Sequence, residues 1–222
     1  MISNVILLGA WQLLTVAAVP ERQIAQNRAE NQRALQTGVK VEPGRYIENQ
    51  PQLGRLKFGR GFDFDYGGCS VIAVYNTLLS LGEQVSGEAL CEIAEELQRR
   101  GVALGGKFGV APLSLKYYLK RRLENEGFSV KSTISSRAEV LDELGTESDA
   151  VLVVLWNGKH MRDQFHAMHI EKREGKFIIH NACYFINQSY GEMGPYGSLS
   201  AAIKGYGAGG AKAALTLGIK RD

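Results

Sequence analysis

The chain has few cysteines and little net charge, and each shortage argues against a class of protein. Its three cysteines, Cys69, Cys91 and Cys183, include no CxxC pair and cannot form a disulfide framework, although an odd count is compatible with a free reactive thiol. The net charge of +3 over 222 residues is too small to indicate a nucleic-acid partner. With 45% hydrophobic and 22% charged residues, the composition is that of a globular protein.

The N-terminal apolar stretch from Val5 to Val19 is too short to span a bilayer comfortably. Its length is typical of a signal-peptide core, and Val16-Ala17-Ala18 is a candidate cleavage site. No Lys or Arg precedes it, so a helix that docks on the body of the protein fits equally well. The chain can also begin inside a longer exported protein. We expect export rather than a cytoplasmic location, and membrane association only through residues 1–19.

Residues 20–52 are rich in Gln, Asn, Arg and Glu and contain few large apolar residues. This composition predicts a solvated helix followed by a linker. We therefore assign residues 1–52 to a leader, pro-segment or docking arm, and residues 53–222 to the folded domain.

The stretch from Tyr66 to Gly82 predicts a tight turn that leads directly into a helix. Gly67 and Gly68 precede Cys69, and Gly82 suits the left-handed residue that ends a helix. Cys69 then lies in the first helical turn, where unpaired N–H groups and the helix dipole stabilise a thiolate. Cys69 is therefore a candidate nucleophile, the alternative being a small buried apolar residue. The apolar residues of the helix repeat at helical spacing: Val71, Val74, Tyr75, Leu78 and Leu79.

The rest of the chain predicts helices first and strands second, an α+β order. Cys91 lies beside the apolar stripe of the next helix and is predicted to be structural. The run Ala150–Trp156 is β-branched and apolar throughout, which is typical of a strand covered on both faces. The remaining predicted elements are helices at 112–127, 136–144 and 198–205, an edge strand at 128–132, a hairpin over 164–184, a flexible turn at 207–210 and a last strand at 213–219.

All four histidines, His160, His166, His169 and His180, fall in this hairpin and the loop before it. Three interpretations compete. With Cys183 the histidines offer metal-ligand types, but their spacing matches no compact zinc pattern, so no metal is expected. They can be structural residues of a sheet. Alternatively, one of them is the base for Cys69 and is oriented in turn by Asn181 or His180.

The length of the hairpin turn decides which histidine lies beside Asn181. A two- or four-residue turn puts His166 beside Asn181. It moves His169 and His180 to the other face. A three-residue turn over Arg173-Glu174-Gly175 brings His169 beside Asn181 instead. Both lengths fit the sequence, so both bases remain open.

Three segments together resemble the papain-like cysteine peptidase superfamily: GCSVIAVYN at 68–76, FHAMHI at 165–170 and FIIHN at 177–181. The nearest branch is that of the bacterial peptidases that cleave double-glycine leaders in bacteriocin exporters, together with papain-fold toxin domains. The resemblance covers Phe64 to Ile219 and implies a helical layer, with the nucleophile helix, packed on a mostly antiparallel sheet. It implies Cys69 as nucleophile, His166 as general base and Asn181 as orienting residue.

The activity that the resemblance implies is hydrolysis of peptide amide bonds through an acyl-enzyme, without a cofactor. A peptide or protein substrate and an inhibitor or immunity partner are expected. One position departs from the family, which carries a Gln six residues before the cysteine, where this chain has Asp63. Asp63 favours two alternatives: a weak or inactive binding module, or an amide supplied by one of Asn49, Gln50, Gln52 and Asn157. A papain-fold toxin that acts as a deamidase or transglutaminase is a further alternative.

Overall fold

The structure is a computed structural model that describes residues 16–156, 165–182, 191–206 and 212–222. Within these ranges the fold is α+β, as the sequence predicts, and helices pack on both faces of a six-stranded antiparallel sheet. The helices are α1 (Glu21–Gln36), α2 (Phe64–Gly67), α3 (Cys69–Ser80), α4 (Gly87–Arg100), α5 (Pro112–Glu124), α6 (Ala138–Glu147) and α7 (Leu199–Tyr206). No helix among the described residues is long and apolar enough to cross a membrane.

The six strands of the sheet lie in the order β5-β10-β6-β7-β8-β9. They are β5 (Phe128–Thr133), β6 (Ala150–Trp156), β7 (Phe165–Arg173), β8 (Lys176–His180), β9 (Met193–Tyr196) and β10 (Lys212–Arg221). Two short ribbons pair β1 (Val16–Ala17) with β4 (Val102–Ala103) and β2 (Lys57–Phe58) with β3 (Phe62–Asp63). β5 is an edge strand, as predicted, and the last strand β10 enters between β5 and β6.

The strand β6 is covered on both faces, which confirms the interpretation of its continuous apolar run. Leu152 and Val154 join the core that α1, α3, α4 and α5 share. Val151 and Val153 join a second core under α6 and α7. The alternation of strand side chains therefore divides one apolar run between two cores.

The hairpin of β7 and β8 closes with a two-residue turn. Arg173 pairs with Lys176 across it, and Glu174 and Gly175 have φ values of 51° and 74°, the left-handed geometry of a type I′ turn. His169 is then directly opposite His180. Of the two turn lengths that the sequence permits, the structure has the one that separates these two histidines from His166.

The helix α1 corrects the expectation of a solvated helix at the start of residues 20–52. Ile24 and Ala34 belong to the core, and Asn27 and Asn31 are 1% and 2% exposed. The Asn31 amide donates to the carbonyl of Lys57 (3.0 Å) and accepts from its N–H, as a neighbouring strand would. The polar composition predicts a solvated helix, but these amides hydrogen-bond main-chain groups inside the protein.

Some predicted features lie outside the described residues. They are Val5–Thr15 of the apolar stretch, Asn157, His160, Cys183 and the turn at Gly207–Gly210.

Candidate active site

Cys69 is the first residue of α3, as the glycines before it predict. The turn needs those glycines because a Cβ on Gly67 would lie 2.7 Å from the carbonyl oxygen of Gly106, and one on Gly68 2.4 Å from the ring of Phe64. Cys69 itself is buried, at 8% exposure. Gly109, which the sequence analysis missed, lies beside the sulfur, since a Cβ there would be 3.8 Å from Sγ. One side of the thiol is therefore approached by glycine main chain without a side chain.

The thiol of Cys69 is set apart from that of Cys91 by its neighbours. Burial alone would raise the pKa of Cys69. The hydrogen bond with His166, the charge of that ring and the main chain of Ala167 outweigh burial, so the pKa is lowered overall. By contrast, burial, followed by the carboxylates of Glu95 and Glu88, raises the pKa of Cys91 to about 11. Of these two free cysteines, Cys69 has a lowered pKa, whereas the charge of Arg28 beside Cys91 does not offset burial and the carboxylates.

The ring of His166 is held in one orientation. Its Nε2 is 3.0 Å from the main-chain carbonyl oxygen of Asn181, and a carbonyl only accepts, so Nε2 carries the hydrogen. The other ring nitrogen, Nδ1, is then free to accept the thiol proton of Cys69. The ring also stacks on Tyr206, with centroids 6.1 Å apart and planes 13° from parallel. This is the tautomer that a general base requires.

Asn181 contacts His166 through its main chain and not through its side-chain amide, which differs from the expected geometry. Its φ of 59° is a left-handed conformation that Asn tolerates better than most residues. Its Oδ1 accepts from the N–H of Gln50 (3.1 Å), and its Nδ2 donates to Oε1 of Gln50 (3.3 Å). The side chain thus holds the backbone of Asn181 in place, and that backbone holds the ring of His166.

Of the amides expected to donate to the oxyanion, Asn49, Gln50 and Gln52 lie among the described residues, and Gln50 bonds both Asn181 and the turn before Cys69. Its Nε2 donates to the carbonyl oxygens of Phe64 and Asp65, each at 2.9 Å, so both amide hydrogens are engaged. Gln50 therefore ties Asn181 to the turn before Cys69 and does not serve as an oxyanion donor.

The carboxylate of Asp63 is paired with Lys57 across the β2–β3 ribbon. The Asp63 side chain is 51% exposed. Its negative charge is thus balanced at the surface, and Asp63 supplies no hydrogen-bond donor to the site.

His169 lies apart from Cys69. It is fully buried, and its Nδ1 is 3.1 Å from the hydroxyl of Thr77. Burial, and then the charge of His180, lower the pKa of His169 well below its usual value. A ring that stays neutral and bonds the middle of α3 is a structural residue, so the geometry favours His166 as the base.

The described histidines do not converge as metal ligands. His166 faces Cys69 and Asn181, while His169 and His180 stack on each other with ring centroids 5.6 Å apart. Glu48, His180 and Glu192 do bring ligand atoms within 4.8 Å of one another. However, Glu48 already bonds His180, and the guanidinium of Arg173 lies 3.6 Å from Glu192. These groups form an ion-pair network, which the sequence did not reveal.

In comparisons with known proteins, no family model and no curated protein matches this chain. Its function is therefore inferred from the geometry of Cys69, His166 and Asn181.

Proposed function

We propose that this chain is a papain-like cysteine hydrolase that cleaves peptide amide bonds. The observation that carries the proposal is the contact of Cys69, at the start of α3, with a His166 ring whose Nε2 is held by the carbonyl of Asn181. A nucleophile, a base within reach and a third group that orients the base are the minimal set for such chemistry. The arrangement of a cysteine-bearing helix against a histidine-bearing antiparallel sheet also supports a papain-like fold.

The mechanism follows from the tautomer of His166. Nδ1 takes the thiol proton of Cys69, and the thiolate attacks the substrate carbonyl carbon. The tetrahedral intermediate collapses as Nδ1–H gives its proton to the leaving amine, which leaves a thioester on Cys69. Water, deprotonated by His166, then attacks the thioester carbon; the carbon–sulfur bond breaks, the carboxylic acid product leaves, and the released thiolate of Cys69 takes the proton from His166. Main-chain N–H groups at the start of α3 are the proposed donors to the oxyanion.

The two alternatives differ from this proposal in distinct ways. The inactive binding module drew its support from Asp63, and the pairing of that carboxylate with Lys57 removes the main reason to prefer it. A deamidase or transglutaminase would share the acyl-enzyme and differ only in the side chain attacked or the acceptor used. A peptide substrate, and an inhibitor or immunity protein that covers Cys69, are the proposed partners.

The proposal is tested by alkylating the folded protein with iodoacetamide from about pH 5 to about pH 10 and mapping the labelled peptides. Only the thiolate reacts, so a lowered pKa moves the reactivity curve to lower pH. Cys69 is expected to react with a midpoint below the value of about 8.5 for an ordinary cysteine. Cys91 is the internal control, and its pKa of about 11 keeps it slow near neutral pH. If Cys69 reacts no faster than Cys91 at neutral pH, the hydrolase proposal fails.

A further inference from the structure

We propose that Glu48 is a positioning residue for the base His166 and acts through Asn181; this inference rests on the proposed function. Glu48 is 132 positions before His180 in the chain, and its carboxylate binds two consecutive residues at the end of β8. Oε1 is 2.6 Å from Nδ1 of His180, and Oε2 accepts from the N–H of Asn181 at 3.0 Å.

With this bond, every polar group of Asn181 has a partner. Glu48 takes the main-chain N–H, and Gln50 takes both ends of the side-chain amide. The carbonyl is left to point at Nε2 of His166. Asn adopts the left-handed conformation more readily than most residues, and contacts with the surroundings select it over the other conformations open to Asn181. Glu48 and Gln50 make these contacts, so they set the direction of the carbonyl that orients the base.

The ion-pair network around His180 holds Glu48 in this position. His180 is fully buried, and its two ring nitrogens face Glu48 and, at 3.2 Å, Glu171. Arg173 pairs with Glu171 at 2.7 Å, and the ring of Tyr46 stacks on His180 with centroids 3.8 Å apart. These contacts link Glu48 to Arg173 through His180 and Glu171.

The two other titratable rings at this network remain neutral. Burial, followed by the carboxylate of Glu171, raises the pKa of Tyr46 to about 12, so its hydroxyl stays protonated. His169 stays neutral because its pKa is well below the usual value. Tyr46 and His169 thus leave the pairing of Glu48 with His180 undisturbed. If the carboxylates of Glu48 and Glu171 both turned to solvent, the buried ring of His180 would lose its hydrogen-bond partners, which is unfavourable.

The experiment compares Glu48→Ala, Glu48→Asp and Glu171→Gln with the unmodified chain. One measurement is the rate at which iodoacetamide labels Cys69 across pH. The other is the ring ¹⁵N spectrum of His166, assigned with His166→Ala, which reports the tautomer even if the thiol is inert. Thermal unfolding of each variant is recorded alongside. Glu171→Gln is the control because it alters the same ion-pair network but does not touch Asn181.

Glu48→Ala is expected to lower the Cys69 rate on the order of tenfold at neutral pH and to reduce the Nε2–H tautomer of His166. Glu48→Asp keeps the charge beside His180 but is too short to reach Asn181 as well, so it is expected to cost about threefold. If the alanine variant does not fold, the rate and the His166 spectrum of Glu48→Asp decide whether Glu48 positions His166. Glu171→Gln keeps an oxygen acceptor for Nε2 of His180, so it is expected to lower stability and to change rate and tautomer less than Glu48→Asp does.

The proposal is overturned if the folded Glu48 variants keep both the rate and the His166 spectrum of the unmodified chain. It is also overturned if Glu171→Gln lowers the rate as much as Glu48→Ala does, because the network then has a purely structural role. An unmodified Cys69 that is no more reactive than Cys91 refutes the hydrolase proposal instead. The His166 spectra still decide the role of Glu48 in that case.

Discussion

Replacing His166 with alanine is expected to slow alkylation of Cys69 at neutral pH at least about a hundredfold and to abolish amide hydrolysis. The substitution removes the hydrogen bond and the ring charge that lower the pKa of Cys69. Burial, which raises the pKa, then dominates, so the reactivity curve moves to higher pH. The measurement is the second-order rate of iodoacetamide incorporation into the Cys69 peptide across pH.

His169→Gln is the matched control for this prediction. A glutamine can still hydrogen-bond the hydroxyl of Thr77, which His169 contacts at 3.1 Å. We expect the Cys69 rate of this variant to stay within about threefold of the unmodified chain, although a buried substitution lowers stability. A loss of thiol reactivity in His169→Gln with full reactivity in His166→Ala would reverse the assignment of the base.

The position of Cys69, the proposed nucleophile, could be predicted because its signal is local. Two glycines, a cysteine and an apolar run place Cys69 at the start of α3, and Gly82 ends that helix with a φ of 93°, as expected. The sequence predicts the hairpin with either an even-numbered or a three-residue turn, and a change of one residue in the turn length decides between them. Turn length cannot be read from Arg173-Glu174-Gly175, because Glu174 carries no marked preference for the positive φ that it adopts.

The groups that orient the base could not be predicted, since they depend on contacts between distant parts of the chain. Residue type suggested that the side-chain amide of Asn181 orients His166. The carbonyl does so instead, because the segment with Glu48 and Gln50 packs against the end of β8 and engages that amide. The same packing explains why residues before 53, with their polar composition, contribute to a buried site.

The effect of the Asp63 charge likewise depends on tertiary structure. The sequence places a carboxylate where the resembled family has an amide, and it gives no partner for that charge. The partner is Lys57, on a ribbon whose two strands are two residues long each and so leave no periodic signal. A charge that is unfavourable at an oxyanion is acceptable at the surface beside a lysine.

The second large effect expected is on stability, in the buried contact between α1 and α4. Asn27→Ala is expected to lower the free energy of unfolding by about 2–3 kcal/mol, because it removes the hydrogen bonds of a buried amide, including the one that its Oδ1 accepts from Nε2 of Gln23 at 3.0 Å. The Nδ2 of Asn27 donates to the carbonyl of Gly59 at 2.8 Å and to Oε1 of Gln98 at 2.7 Å. Oε1 of Gln98 also accepts from the N–H of Gly59 at 2.9 Å, and this bond does not involve Asn27. The largest cost is therefore expected at the carbonyl of Gly59, which loses its bond from Asn27.

Urea denaturation measures this change as a lower midpoint with an unchanged slope. Gln26→Ala is the control on the same helix, since its side chain is exposed and bonds only Glu30 among the contacts described for it; we expect a change within about 0.5 kcal/mol. Equal effects of the two substitutions would mean that α1 is solvated after all. A large effect of Asn27→Ala alone would make α1 an integral part of the fold that carries Glu48 and Gln50 to the end of β8.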